Sequence, residues 1–73
     1  MNSLVKVNAS RIRTLMFERN IAGVYKLARA AGLNAGTTGK MLVDGSRVQL
    51  KSIHALAKFF GVNGEELILK EAD

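Results

Sequence analysis

The sequence predicts a small all-α protein with a single core. The chain has 73 residues, of which 48% are hydrophobic, so one small domain can be built from it. It contains no proline, and strand-like alternation of polar and apolar residues is scarce. Apolar residues instead recur at helical spacing, with glycine and asparagine between the runs. We therefore expect a bundle of five short helices around a helix-turn-helix.

The composition argues against several classes of protein. Cysteine is absent, which excludes disulfides and thiolate chemistry, and there is one histidine with no acidic cluster beside it in the sequence. No acid pair, nucleophile–base set or phosphate-binding loop is visible. We expect no enzymatic activity, no metal and no cofactor. No signal peptide and no apolar run of about 20 residues is present, so we expect a cytoplasmic protein that binds no membrane.

The charge is positive and unevenly spread. The formal net charge is +5. Residues 1–64 carry ten lysines and arginines against two acidic residues, whereas residues 65–73 carry one lysine against four acidic residues. A basic body with an acidic tail indicates a polyanionic partner for the body, although charge alone is also compatible with ordinary solvation.

The first part of the chain leads into one amphipathic helix. Residues 1–9 are poorly patterned, and form either a short extended piece or a flexible arm. A helix follows at about residues 10–19, capped by Ser10 or Asn8. Its inner face is apolar: Ile12, Leu15 and Met16. Phe17 lies off this stripe, and we expect it to cover the edge of the bundle.

The central helix-turn-helix lies between residues 24 and 42. The second helix ends at Gly32, which can adopt the left-handed conformation without steric cost. Asn34 can then cap a third helix that buries Thr38, Met41 and Leu42. Glycines 36 and 39 make this helix weak, so the bundle must hold it in place. Its outward face carries short groups and one long cation: Asn34, Ala35, Gly36, Thr37 and Lys40.

The last part of the chain predicts a turn and two more helices. A turn at residues 44–47 precedes a fourth helix at about residues 49–60, which ends at Gly61. The inner face of this helix is apolar: Leu50, Ile53, Leu56, Ala57 and Phe60. On the same helix we expect His54 to be half-buried and structural.

A fifth helix begins at Asn63, where Glu66 completes a capping-box-like pair. The three consecutive apolar residues Leu67, Ile68 and Leu69 cannot all be buried by one helix face. A dimer contact there that includes Phe59, or simple core packing, accounts for them.

These residues resemble the Cro/CI-type (XRE) helix-turn-helix family of phage-repressor type. The most specific part of the match is the joint spacing of Leu27-Ala28, Gly32 and the segment Leu56-Ala57-x-x-Phe60-Gly61-Val62. The resemblance implies a lambda-repressor-like bundle whose third helix enters the major groove, usually as a homodimer. It assigns residues 10–69 to the DNA-binding domain, after an arm at residues 1–9 and before an acidic tail at residues 70–73.

The resemblance also assigns roles to individual residues. Four residues are candidates for contacts with base edges: Asn34, Ala35, Thr37 and Lys40. Four are candidates for phosphate contacts: Tyr25, Lys26, Ser46 and Arg47. Three are candidates for the dimer interface: Phe59, Ile68 and Leu69. Four arginines stay ambiguous between DNA contacts and plain surface: Arg11, Arg13, Arg19 and Arg29. The chain departs from the family pattern at Val24, where a glutamine is common.

The implied function is a sequence-specific DNA-binding transcriptional regulator, a repressor that occupies an operator in double-stranded DNA. An antitoxin that regulates its own operon is a close alternative, and it would add a toxin or other protein partner. A protein-interaction module that uses the same fold without DNA is the alternative from another class.

Overall fold

The structure is a computed structural model that describes residues 4–69. Within this range, four α-helices, two short β-strands and one 3-10 turn are present. In chain order they are β1 (Leu4–Lys6), α1 (Ala9–Glu18), α2 (Val24–Ala31), α3 (Ala35–Met41), β2 (Arg47–Gln49), α4 (Leu50–Phe60) and the 3-10 turn (Gly64–Leu67). Residues 1–3 of the predicted arm and the predicted acidic tail at residues 70–73 lie outside the described residues.

The mostly helical fold and its helix-turn-helix are confirmed, but the predicted class of an all-α bundle with five helices is wrong. The strand β1 pairs with β2 in an antiparallel two-stranded sheet, with Leu4 opposite Gln49 and Lys6 opposite Arg47. Strands of three residues are too short to show alternation in the sequence. Their pairing becomes visible only when residues 4–6 and 47–49 meet in space.

The predicted fifth helix is a single 3-10 turn. The side chain of Asn63 makes no capping hydrogen bond. The carboxylate of Glu66 instead accepts a hydrogen bond of 3.1 Å from the guanidinium of Arg11 on α1. The expected capping box is therefore absent, and after the buried Leu67 the chain becomes extended at Ile68.

The N-terminal strand, continued here by Val7 and Asn8, lies between two other segments of the chain. On one side Val7 donates its N–H to the carbonyl of Ser46 at 2.9 Å. On the other side Asn8 donates to the carbonyl of Leu67 at 2.8 Å, and Val7 forms an antiparallel bridge with Ile68. Of the two alternatives for the start of the chain, the described part adopts the extended one.

The core is formed by apolar residues from all of these elements. Its buried members are Val7, Ile12, Leu15, Met16, Leu27, Met41, Val48, Ile53, Leu56, Ala57, Phe60 and Leu67. The predicted inner faces of α1 and α4 are present in it, with Leu50 half-buried at its edge. Two side chains lie outside it contrary to expectation: Phe17 is 84% exposed, and His54 is exposed rather than half-buried. Phe17 lies on the solvent face of α1, whereas the exposed ring of His54 borders the 3-10 turn, where a Cβ built on Gly64 would lie 3.1 Å from its Cδ2.

The turn between α2 and α3 is made by Gly32. Its φ of 73° and ψ of 31° are left-handed. Its N–H donates to the carbonyl of Arg29 at 3.4 Å, and the N–H of Leu33 donates to that of Ala28 at 2.8 Å. This pair of hydrogen bonds is the Schellman motif, which satisfies the last carbonyls of a helix while the chain reverses. The predicted end of the second helix is confirmed.

The short helix α3 is held at both ends. The Oδ1 of Asn34 accepts a hydrogen bond of 2.7 Å from the N–H of Thr37, which confirms the predicted N-cap. Thr38 is fully buried, and its hydroxyl donates to the carbonyl of Asn34 at 2.8 Å, so it carries no unsatisfied polar group into the core. Met41 is fully buried as well. A helix of seven residues with two glycines depends on these contacts.

The turn after α3 is tied to the start of α1 by Asp44. The Oδ1 of Asp44 accepts hydrogen bonds from the N–H of Ala9 at 2.9 Å and the N–H of Ser10 at 3.3 Å. The guanidinium of Arg13 lies 3.8 Å from Oδ2 and donates at 2.7 Å to the carbonyl of Leu42. Asp44 thus supplies acceptors to orphan amides of α1 from a distant part of the chain.

We expect the substitution Asp44→Ala to lower the free energy of unfolding by about 1 kcal/mol, because it removes a cap from the first turn of α1. Chemical denaturation followed by circular dichroism measures the change. The control Glu65→Ala removes an exposed carboxylate from the 3-10 turn and should change stability by less than about 0.5 kcal/mol. Equal effects of the two substitutions would contradict the capping role.

We expect Gly39→Ala to raise the free energy of unfolding by about 0.5–1 kcal/mol. A Cβ at Gly39 would lie 3.9 Å from Cγ2 of Val24, which is an ordinary contact, so the helical gain is retained. Gly32→Ala should instead lower stability by about 1–2 kcal/mol, since its φ is positive. Thermal unfolding of both variants measures whether stability rises or falls. A loss of stability in Gly39→Ala would show that α3 has no room for a Cβ at this position.

Candidate nucleic-acid interface

The outward face of α3 is made almost entirely of short groups. Gly36 and Lys40 are exposed, while Ala35 and Thr37 are half-buried. Lys40 is the only long side chain among these residues, as the sequence predicted. A helix that presents such a face allows another surface to approach its backbone closely.

Asn34 is predicted both to cap α3 and to contact a base edge. It is exposed at the start of α3, but its Oδ1 already accepts the hydrogen bond from the Thr37 N–H. A bidentate contact with adenine requires both the carbonyl oxygen and the amide nitrogen of an asparagine. With Oδ1 engaged, the amide N–H₂ group is the part of Asn34 best placed to donate to a base acceptor or to a phosphate.

A recess of about 550 Å³ gathers most of the polar groups near α3. Three predicted base-contact residues line it, namely Asn34, Thr37 and Lys40. Arg47, a predicted phosphate contact, lines the same recess from β2. Ala35 is not among the lining residues. The structure therefore brings together two groups of residues that are separated by the turn after α3.

The same recess contains residues that the sequence did not single out. Gln49 and Lys51 enter it from the junction of β2 and α4, and Leu4 enters it from β1. Among the lining residues that the structure describes, three are cations and none is a carboxylate. Gln49 and Lys51 reach the recess because β2 packs against α3, and Leu4 reaches it through the pairing of β1 with β2, so no local signal in the sequence indicates these positions.

Two further predicted phosphate contacts lie on a separate surface. Tyr25 and Lys26 line a recess of about 380 Å³ on the outer face of α2, together with Arg29 and Ala30. Tyr25 is 77% exposed. The residue that precedes this helix, Gly23, offers no side chain to cap it, so the amides of its first turn have no side-chain acceptor there. An anion is favoured at such a helix start.

Ser46 occupies a different position from the other three phosphate candidates. It is half-buried in the turn between α3 and β2. Its carbonyl accepts from Val7, and its N–H donates to the carbonyl of Val43 at 3.1 Å. It does not line the recess beside α3. Its backbone therefore holds the N-terminal strand, and its role in phosphate binding stays a prediction.

Three of the four ambiguous arginines make contacts within the chain. Arg11 pairs with Glu66 at 3.1 Å, and Arg13 binds the Leu42 carbonyl and Asp44. Arg19 donates at 2.6 Å to the carbonyl of Phe60, the last residue of α4, and its guanidinium lies 5.7 Å from the centre of that ring. These three cations therefore stabilise the bundle, whereas Arg29 belongs to the outer face of α2.

The three predicted dimer residues are all half-buried. The ring of Phe59 lies 5.0 Å from that of Phe60, and Ile68 bridges to Val7. Leu69 donates its N–H to the carbonyl of Lys6 at 2.9 Å. Ile68 and Leu69 thus lie against the N-terminal segment of the same chain, and they do not continue the fifth helix that the sequence predicted. Their role in a dimer stays a prediction.

The start of α2 meets α3 through an apolar contact. Val24 is half-buried, and its Cγ2 is the nearest side-chain atom to the position of a Cβ on Gly39. Val24 thus faces α3 with an apolar side chain, and the 3.9 Å between its Cγ2 and a Cβ built on Gly39 is an ordinary contact.

Comparisons with known proteins give one match. The family model of the Cro/C1-type helix-turn-helix DNA-binding domain matches residues 11–73. Neither a curated protein nor a solved structure matches the chain significantly. In the part of the chain that the structure describes, no helix is long and apolar enough to cross a membrane. The match covers most of the chain and includes both α2 and α3, so this protein belongs to the Cro/C1-type helix-turn-helix DNA-binding domain family.

Proposed function

We propose that this DNA-binding regulator is a sequence-specific transcriptional repressor of the cytoplasm, and that it occupies an operator with α3 in the major groove. One observation carries the proposal. The short-residue face of α3 adjoins a recess that is lined by Lys40, Arg47 and Lys51 and by no described carboxylate. A polyanion that enters the recess meets these three cations.

The proposed contacts with bases follow from the chemistry of the face. The major groove is about 12 Å wide, which is enough for a helix. The ammonium group of Lys40 suits guanine O6 and N7, and the methyl groups of Ala35 and Thr37 suit the methyl group of thymine. Asn34 contributes its amide N–H₂ group. Specificity then rests on few groups, and Lys40 is the strongest of them.

The proposed contacts with phosphates lie on both sides of α3. Tyr25 and Lys26 stand on α2, where the open first turn adds backbone amides. Ser46 and Arg47 stand after α3. Phosphate contacts on both sides of the recognition helix fix its depth and its angle in the groove. Base contacts alone do not fix them.

We propose further that the protein binds a near-palindromic operator as a homodimer through Phe59, Ile68 and Leu69. These three apolar residues are half-buried, so each keeps some surface for a partner, and a symmetric dimer pairs one patch with itself. Two recognition helices then enter successive turns of the major groove.

The antitoxin alternative is favoured by a separate apolar surface. Phe17 is 84% exposed beside a recess of about 410 Å³ that Met16, Ile21 and Ala22 also line. Such a surface suits a protein partner. If the product of the adjacent gene arrests growth, and coexpression of this chain relieves the arrest unless Phe17→Asp is present, the antitoxin role is supported. A module that works without DNA would tolerate Lys40→Ala and Arg47→Ala.

We expect Lys40→Ala to change base preference at one position by about 1–3 kcal/mol, and Arg47→Ala to weaken all sites alike. Selection from random DNA, followed by titration of the enriched and scrambled sites at several salt concentrations, separates these effects. Arg47→Ala should also reduce the magnitude of the salt slope by about one.

The matched control is Lys58→Ala, which removes a lysine from the far end of α4, outside every recess described above. It should leave base preference unchanged. If selection with the unmodified protein enriches no motif, the proposed function is wrong.

We expect Gly36→Gln to separate stability from binding. A Cβ at Gly36 would lie 3.5 Å from Oδ1 of Asn34, an ordinary contact, so the helix gains stability from a better helix former. The long side chain would keep DNA away from α3, and we expect operator affinity to fall at least about 10-fold. Measurements of unfolding and of operator binding on the same sample test the expected gain in stability and the expected loss of affinity. Unchanged affinity would show that this face does not enter the groove.

A further inference from the structure

The two-stranded sheet presents one of its faces beside α3. Side chains alternate between the two faces of a strand. Val48 is buried in the core, so its neighbours Arg47 and Gln49 lie on the opposite face of β2. In the antiparallel register Leu4 is opposite Gln49 and shares that outer face, and Leu4 is 53% exposed. The outer face of the sheet and the outward face of α3 both border the same recess.

Gln49 is the residue on this face with an uncommitted recognition group. It precedes α4 in the N-cap position, but its side chain makes no capping hydrogen bond. It is half-buried and lines the recess together with Asn34 and Thr37. Glutamine carries a donor and an acceptor on one planar amide, which is the group that pairs in bidentate fashion with adenine N6 and N7.

The shape of α3 brings this amide within reach of DNA. Long side chains on a recognition helix would hold the duplex away from the neighbouring elements. Gly36 and Ala35 do not, so a duplex that receives α3 also approaches the sheet closely. Lys51 lies in the first turn of α4 beside Gln49 and is placed to meet the adjacent phosphate. The backbone of β2, paired with β1, sets the position of Gln49 in the sheet.

We infer that Gln49, presented on the outer face of the sheet beside α3, is a base-contacting residue that extends the recognised sequence beyond the bases met by α3. The base it reads is adenine, and it borders the base pairs met by Asn34 and Thr37. Leu4 shields the contact from water on the side of β1. The inference rests on the proposed function, since it requires α3 to lie in the major groove.

Selection from random double-stranded DNA with the full chain and two variants tests the inference. The unmodified protein should enrich a motif with adenine at a position next to the one that Thr37→Ala alters. Gln49→Ala should lose preference at that position alone, by about 5- to 150-fold in relative affinity. Gln49→Glu should shift the preference from adenine to cytosine, because a carboxylate accepts from cytosine N4.

The matched control is Asn63→Ala, which removes an exposed amide that makes no capping hydrogen bond at the other end of α4. It should leave the motif unchanged. If the protein selects a motif and both Gln49 variants select the same one, Gln49 reads no base and the inference fails while the proposed function stands. A uniform loss of affinity in both variants would make Gln49 a backbone contact and would also overturn the inference. If the unmodified protein selects nothing, the proposed function itself fails.

Discussion

The burial of Thr38 and Met41 is the interaction on which the rest of this structure depends. The helix α3 has seven residues and two glycines, so it has little tendency to form without the bundle. Its outward face supplies few stabilising side chains, because it carries short groups and one lysine. The inward face therefore provides the stability, through two fully buried side chains and a hydroxyl that bonds the Asn34 carbonyl. Stability and recognition are assigned to opposite sides of one short helix.

The N-terminal strand determines what surrounds that helix. Its backbone bonds to the Ser46 carbonyl on one side and to the segment after the 3-10 turn on the other. Asp44 adds a second connection, since it caps α1 from the turn that follows α3. The turn is thereby held at both ends. The position of Arg47, Gln49 and Lys51 beside α3 follows from these long-range contacts and from the pairing of β1 with β2.

Eight cations of this basic protein fall into two groups by position. Arg11, Arg13 and Arg19 are satisfied within the chain, and the latter two bind backbone carbonyls at the ends of α3 and α4, where positive charge is favoured. Five cations line the recesses beside α2 and α3: Lys26, Arg29, Lys40, Arg47 and Lys51. A high net charge alone does not distinguish the groups. The guanidinium, with its forked set of donors, suits carbonyl and carboxylate partners on neighbouring helices.

The sequence by itself determined the features that depend on neighbours a few residues apart. The left-handed turn at Gly32, the cap at Asn34 and the short-residue face of α3 are local, and helix-type hydrogen bonds reach only four residues. The predicted family is confirmed as well, and its match extends over residues 11–73. Tertiary structure alone decided the sheet, the single 3-10 turn in place of a fifth helix, the exposure of Phe17, and the entry of Gln49 and Lys51 into the recess. Each of these depends on residues distant in sequence, and three-residue strands carry too little periodicity to reveal which segment will pair with them.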